Sequence, residues 1–255
     1  MRHLIIVLAV MGCRAKQPEP SASRAQPRRL DPLERVVVVA DGGARGDSQF
    51  QVVPLAPVGP AVPAGATVVR LDGEVATVGG APLNAGELKG PLVLTPTAET
   101  YLAQVARWLA LLDDAKAEVW LAHPDAAIAF RLTLRDEASF QAWLDEPVPG
   151  KTRVIQREDG FEVMTNLGKL PGWDPNGPTV PLRGGQLDLT TLRRGLERVR
   201  QRFPEAPDLC FVPAFGVELA QTARAMASDF TGADSPIYPV ICLVYPRPSG
   251  ADGGQ

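Results

Sequence analysis

The sequence predicts an α+β protein with α/β-like layers, a sheet packed against helices, built as two similar small modules in tandem. Three observations predict it. Asp72-Gly73 and Asp159-Gly160 each sit between two alternating apolar–polar runs, the pattern of a tight β-hairpin. Each hairpin is followed by an apolar run that meets a proline, "PLVLTP" and "DLCFVPAF", then by an amphipathic helical run and a further apolar run. The order hairpin, strand, helix, strand thus occurs twice, the second time with an extra helix before its strand.

The elements follow in order. "RVVVVADGG" reads as a strand buried on both faces and "SQFQVVPL" as its hairpin return, while the prolines of "APVGPAVPAGAT" carry the chain across the surface. "VVRLDGEVATVGG" is the first Asp-Gly hairpin, and "PLVLTP" a short strand. In "TAETYLAQVARWLALLDDA", Leu102, Val105, Leu109 and Leu112 recur at helical spacing, with Thr97 as candidate N-cap. "AEVWLAH" closes the unit. "AIAFRLTLR" alternates, placing Ile128, Phe130, Leu132 and Leu134 on one side, and "DEASFQAWLDE" forms a short helix that buries Phe140 and Trp143. "PVPGK" marks a boundary, after which "RVIQREDGFEVMTN" is the second hairpin and "LPGWDPNGPTVPLRGG" a loop. "LTTLRRGLERVRQRF" carries the stripe Leu189, Leu192, Leu196, Val199 and Phe203 and turns its arginines to water, where the first copy has only "APLNAGELKG". "VELAQTARAMASDF" places Leu219, Ala223, Met226 and Phe230 on one helical face, and "YPVICLVY" is the last strand.

At the start, "MRHLIIVLAVMGC" has an uncharged run from Leu4 to Met11 behind Arg2. Spanning a bilayer takes about 20 apolar residues, so this run fits a secretory signal instead. Val10-Met11-Gly12-Cys13 resembles a bacterial lipobox. The resemblance implies cleavage before Cys13, a lipid on its sulfur and an N-acyl chain. An ordinary secretory signal, or a cytoplasmic chain that starts apolar, is the alternative. Arg14 stands where Asp would mark inner-membrane retention, which favours the outer membrane. The expected organisation is a signal peptide over 1–12, a tether rich in proline, serine and charge over 13–34, a first module with extra strands over 35–146, a second over 151–247, and a disordered tail over 248–255.

Composition narrows the function. Removing residues 1–12 takes away Arg2, so 26 Lys and Arg become 25 against 29 Asp and Glu, which excludes a basic nucleic-acid footprint. With Cys13 lipidated, Cys210 and Cys242 remain: a disulfide if their strands are neighbours, or two buried thiols. His3 leaves with the signal, so His123 is the last imidazole and no multi-histidine metal site can form. No G-x-S-x-G elbow or phosphate-cradling loop occurs, so no catalytic residue, cofactor or metal is expected. The acidic pairs Asp113-Asp114, Asp145-Glu146 and Glu158-Asp159 read as solvated surface, and Trp108 and Trp143 as core. Trp173, set in a loop among turn residues, is the candidate partner contact.

The stretch "LTTLRRGLERVRQRFPEAPDLCFVPAFGVELAQTARAMASDF", closing in "YPVICLV", together with the earlier "LDGEVATVGGAPL", resembles the periplasmic domain of ExbD/TolR proteins, accessory subunits of proton-driven envelope motors. The resemblance implies a small module that dimerises and contacts partner proteins or the cell wall. That family carries an acidic residue in a membrane-spanning helix, and Leu4–Met11 holds none, so no proton-path role transfers. The expectation is a lipid-anchored, non-catalytic binding or scaffold module of the cell envelope facing the periplasm. Its candidate partners are the membrane through its lipid, an envelope protein or peptidoglycan, and a second copy in a homodimer. The alternative is a secreted or anchored hydrolase working through carboxylates; several acids converging with His123 in one pocket would favour it.

Overall fold

Period-two burial marks the second hairpin: in the strand Thr152–Arg157, every second residue from Thr152 on is buried. The computed structural model describes residues 56–84, 90–172 and 174–248, so Cys13, the tether, the valine strand, Trp173 and most of the tail lie outside the described residues. The first half contains β1 (Thr67–Asp72), β2 (Val75–Val78), β3 (Ala81–Pro82), β4 (Leu92–Pro96), α1 (Leu102–Asp114), β5 (Val119–Ala122), β6 (Ala129–Arg135) and α2 (Glu137–Asp145). The second contains β7 (Thr152–Arg157), β8 (Gly160–Thr165), β9 (Gly168–Lys169), β10 (Val180–Pro181), α3 (Leu189–Arg202), β11 (Asp208–Pro213), α4 (Leu219–Met226), β12 (Phe230–Gly232), β13 (Ser235–Pro236) and β14 (Val240–Val244).

The fold is mixed α+β: a large mixed sheet packed with a few helices. Twelve strands form one sheet in the order β10-β8-β7-β11-β14-β6-β5-β4-β1-β2-β3, with β9 on β8. Parallel pairs join β1 to β4, β4 to β5, β7 to β11, β11 to β14 and β14 to β6. At both ends of that order stands a two-residue strand containing proline, β3 and β10. Proline has no N–H to offer a further strand, which blunts both edges.

Neighbouring residues on a strand point to opposite faces, and β11 shows the result. Leu209 and Phe211 join the main core with Val105 and Leu109 of α1, Leu192 and Leu196 of α3, and Ala223 and Met226 of α4. Cys210 turns the other way, where it meets Cys242, Val244 and Trp143 of α2. Cys210 and Cys242 are register partners, their Cα atoms 4.3 Å apart, and they are joined as a disulfide. Of the two readings of this pair, the geometry takes the bonded one.

Four expectations need correcting. Thr97 is not the N-cap of α1: its hydroxyl donates to Asp72 Oδ1 at 3.1 Å, and Glu99 adopts a φ of 65°, which interrupts any helical run from that point. Tyr101 is the N-cap, its N–H donating to Gln104 Oε1 at 2.9 Å. The Asp-Gly pairs are also not the two-residue turns themselves. Pairing of Asp72 with Val75 makes Gly73-Glu74 the turn, with Gly73 at φ 55°; pairing of Arg157 with Gly160 makes it Glu158-Asp159. Gly160 instead opens β8, where a β-carbon would lie 2.2 Å from the Val180 carbonyl oxygen of β10. The segment read as a plain loop thus contains β10.

The fourth correction concerns Phe230, which opens a strand rather than ending a helix. α4 stops at Met226 and a 3-10 turn spans Ala227–Asp229. The Asp229 carbonyl accepts the Ile237 N–H at 2.6 Å and its Oδ1 the Tyr238 N–H at 3.1 Å, closing the β12–β13 hairpin in place of another helical turn. Burial pushes the Asp229 carboxyl well above the usual carboxylate range. Phe230 keeps its core position, its ring 5.4 Å from that of Phe130.

Two measurements follow. Gln156 is fully buried and neither polar atom of its side-chain amide has a hydrogen-bond partner among the described residues. Gln156→Leu is expected to raise stability by about 1–2 kcal/mol, read as a higher urea midpoint at unchanged slope; a lower midpoint would show the amide to be satisfied. The disulfide spans a sequence separation of 32 residues. Breaking it should cost about 3–4 kcal/mol by chain entropy, so a reductant should lower the midpoint. Alkylation of Cys210 and Cys242 in unfolded, unreduced protein would contradict the bond.

Candidate functional site

Two clefts adjoin on the described residues. The first is a groove of about 520 Å³ outside the carboxyl ends of the parallel strands β11 and β14, the place where open α/β sheets present ligands. Val212 and Pro213 of β11, Val244 of β14, Tyr245, Tyr101 and Leu102 give it an apolar lining, and Glu137 is the only charged residue among the described residues that line it. Its most conspicuous member is Phe215, 93% exposed. The local chain explains that position. Ala214 N–H still donates to the Gln156 carbonyl at 2.8 Å, and Val217 N–H then closes a turn onto the Ala214 carbonyl at 3.1 Å. Gly216 takes the left-handed φ of 93° that the turn requires, and Phe215 is left at its tip.

The walls of the groove are hydrogen-bonded into the body. Tyr101, before α1, forms an isolated bridge with Glu218, before α4, and Leu219 N–H donates to the Thr100 carbonyl at 2.8 Å. Tyr245 donates its hydroxyl to Asp113 Oδ2 at 3.0 Å; burial first, then this carboxylate, pushes the phenol pKa up. Beyond it, Arg247 donates to both Asp114 oxygens at 2.8 Å, to Asp136 at 3.3 Å and, through its backbone N–H, to Glu137 at 2.9 Å. Carboxylates therefore outnumber cations at that end.

The second cleft, about 550 Å³, is lined by His123, Asp125, Glu158, Gln221 and Arg224 together with Leu182, Leu187 and Leu189. His123 closes β5: its backbone N–H donates to the Ile128 carbonyl at 2.9 Å, and its ring Nδ1 accepts the Asp125 backbone N–H at 3.1 Å. An accepting Nδ1 leaves the proton of the neutral ring on Nε2. Burial holds the imidazole pKa below its usual value, partly offset by Asp125. Arg224 grips Asp125 through two bonds of 2.7 and 3.2 Å, which hold that carboxyl below its usual range. Glu158 makes no ion pair or side-chain hydrogen bond with the described residues. It abuts the Phe215 turn, since a β-carbon on Gly216 would come within 2.6 Å of its Oε1, so the clefts meet there.

The residues singled out in the sequence fall unevenly around these clefts. Cys210 and Cys242 lie two residues before Val212 and Val244, behind the groove floor. Asp113 and Asp114 serve different partners, as adjacent helical residues must: Tyr245 and Lys116 for the first, Arg247 for the second. Glu146 pairs with buried Lys151 at 3.0 Å and Asp159 with Arg157 at 2.9 Å. Trp143 is core, while Trp108 is only partly buried and donates its indole N–H to the Glu74 carbonyl at 3.0 Å. Phe215 was missed, although an aromatic between Pro213 and Gly216 in "VPAFGV" is a legible sign of an exposed turn. Comparison with protein-family models, with curated proteins and with solved structures found no match.

The histidine geometry is directly measurable. His123 should titrate by NMR with a midpoint below about 6.5, and its neutral form should be the Nε2–H tautomer. Because the folded-state pKa is lowered, the folded chain binds fewer protons, and this group costs stability as pH falls below its unfolded value. A midpoint at or above the usual value would overturn the burial argument.

Proposed function

We propose that this chain is a lipid-anchored protein of the cell envelope whose folded body is a non-catalytic binding module, accessory to an ExbD/TolR-type energy-transduction or transport system. The observation that carries the binding reading is the apolar groove with Phe215 at its lip. An exposed aromatic beside a preformed apolar cleft is the arrangement of an interface anchor. The blunted sheet edges turn the reading toward the groove rather than strand addition. The lipid anchor rests on the lipobox resemblance around Cys13; among the described residues no helix is long and apolar enough to cross a membrane.

The same proposal takes 35–146 and 151–247 as two similar modules. Pairing supports it: β1 is antiparallel to β2 and parallel to β4, as β7 is to β8 and β11. β4 continues through α1 to parallel β5, as β11 does through α4 to β14. Tyr101 and Glu218, each the N-cap of the helix that follows its strand, bridge one another antiparallel, an arrangement compatible with a two-fold duplication. The registers have drifted: Pro96 pairs with Leu71, two residues before Gly73, and Pro213 with Gln156, four before Gly160.

The hydrolase reading has one observation in its favour, the meeting of His123, Asp125 and Glu158 in the second cleft. The hydrogen bonds there weigh against it. His123 Nδ1 and the Asp125 carboxylate are both occupied, which leaves the Glu158 side chain alone of the three without a hydrogen-bond partner among the described residues.

Intact mass of protein extracted from membranes tests the anchor. A mature chain starting at Cys13 with added acyl mass, lost in Cys13→Ala, is expected; an unprocessed soluble chain overturns it. A photo-crosslinker at position 215 tests the module, and should join the chain to an envelope protein through that residue. Absence of adducts at 215, with adducts elsewhere on the surface, would move the binding site away from the groove.

A further inference from the structure

Charge around the groove says more about its occupant than its apolar floor does. At the Tyr245 end, the carboxylates of Asp113, Asp114, Asp136 and Glu137 have, among the described residues, two cations as bonded partners, Arg247 and Lys116. At the Phe215 end stands Glu158, with no cationic partner among the described residues, against Gly216. Arg224, the nearest cation on the second cleft, is bound to Asp125 and brings no net charge. Between these ends no Lys or Arg is present among the described lining residues. An apolar trough about 520 Å³ in volume is thus closed at both ends by unbalanced negative charge. Exposed carboxylates at a rim, Glu137, Glu158 and Asp114 among them, repel acidic ligands and anionic lipid and steer cations toward the trough.

We propose that the groove receives a cationic, apolar peptide segment of a partner protein, its apolar side chains on Val212, Phe215 and Val244 and its lysines or arginines on Glu137 and Glu158. The inference rests on the binding-module reading and names the chemistry of the partner at that site. A second copy of this chain is the poorer occupant, since its own formal net charge is -3. The long stems of lysine and arginine suit the place, because they lie along apolar surface while their heads reach a rim carboxylate. Arginine adds a planar face that stacks on the exposed Phe215 ring.

The experiment uses the full chain and three synthetic twelve-residue peptides: one of leucine and lysine, one with glutamate for lysine, one with glutamine for lysine. Binding is followed by calorimetry and by amide shifts of Val212, Phe215 and Tyr245. The leucine–lysine peptide should bind at the groove and weaken with salt. Phe215→Ala should weaken it about tenfold, as loss of an interface anchor does. Glu158→Gln, which keeps shape and removes charge, should weaken it several-fold and flatten the salt dependence. Phe215 is exposed, so its truncation leaves the core intact, and Glu158→Gln provides an independent variant. Equal binding of the glutamate peptide, or lysine-peptide binding indifferent to Phe215→Ala, overturns the proposal. If the glutamine peptide binds the groove as tightly as the lysine peptide, the cationic preference falls while the binding-module reading stands. If no peptide moves the groove resonances, both fall.

Discussion

Leu132 of β6 has two register partners, Val119 of β5 on one side and Ile241 of β14 on the other. The pairing is antiparallel toward β5 and parallel toward β14, and through this single strand two halves of the chain become one sheet. Everything downstream depends on it. A strand that alternates needs both neighbours in register, or its apolar side turns to water. Phe130 and Leu132 meet that condition, entering the same core as α1 on one side and α3 and α4 on the other. With β6 in place, the Tyr101–Glu218 bridge can form, and the groove acquires walls from both halves of the chain.

Legibility followed the range of the forces involved. Hairpins, amphipathic stripes and the short helix over Trp143 were readable because period and turn chemistry are written in neighbouring residues. The failures were matters of distant competition. Thr97 looked like a cap until Asp72, 25 residues away, took its hydroxyl. Phe230 fitted a helical face and still lies in the core, but a hydrogen-bonded hairpin closed by Asp229 outcompeted the next turn. The joining of the two halves through β6 was not readable at all, since alternation says that a strand has a buried face without saying which strands flank it.

The candidate site shows the same division more sharply. Its chemistry comes from residues that are ordinary in the sequence: a phenylalanine in a turn, a tyrosine after the last strand, glutamates at a helix start and in a hairpin turn. None belongs to a motif; proximity gives them meaning. His123 runs the other way. It was conspicuous as the last imidazole, yet the Asp125 N–H on Nδ1 and the Ile128 carbonyl on its backbone N–H make it a corner brace for the end of β5.

The bond between Cys210 and Cys242 has a mechanical meaning that stability alone does not capture. Parallel strands in register shear apart when one is pulled along its axis, each ladder hydrogen bond carrying a share of the load. A tug on the Phe215 turn pulls on the carboxyl end of β11. Three residues back from Pro213 that force reaches a covalent cross-link to the neighbouring strand, seated in the middle of the sheet beneath Trp143. β11 and β14 therefore answer tension as one element, and whatever holds the turn pulls on the centre of the sheet instead of peeling a strand from it.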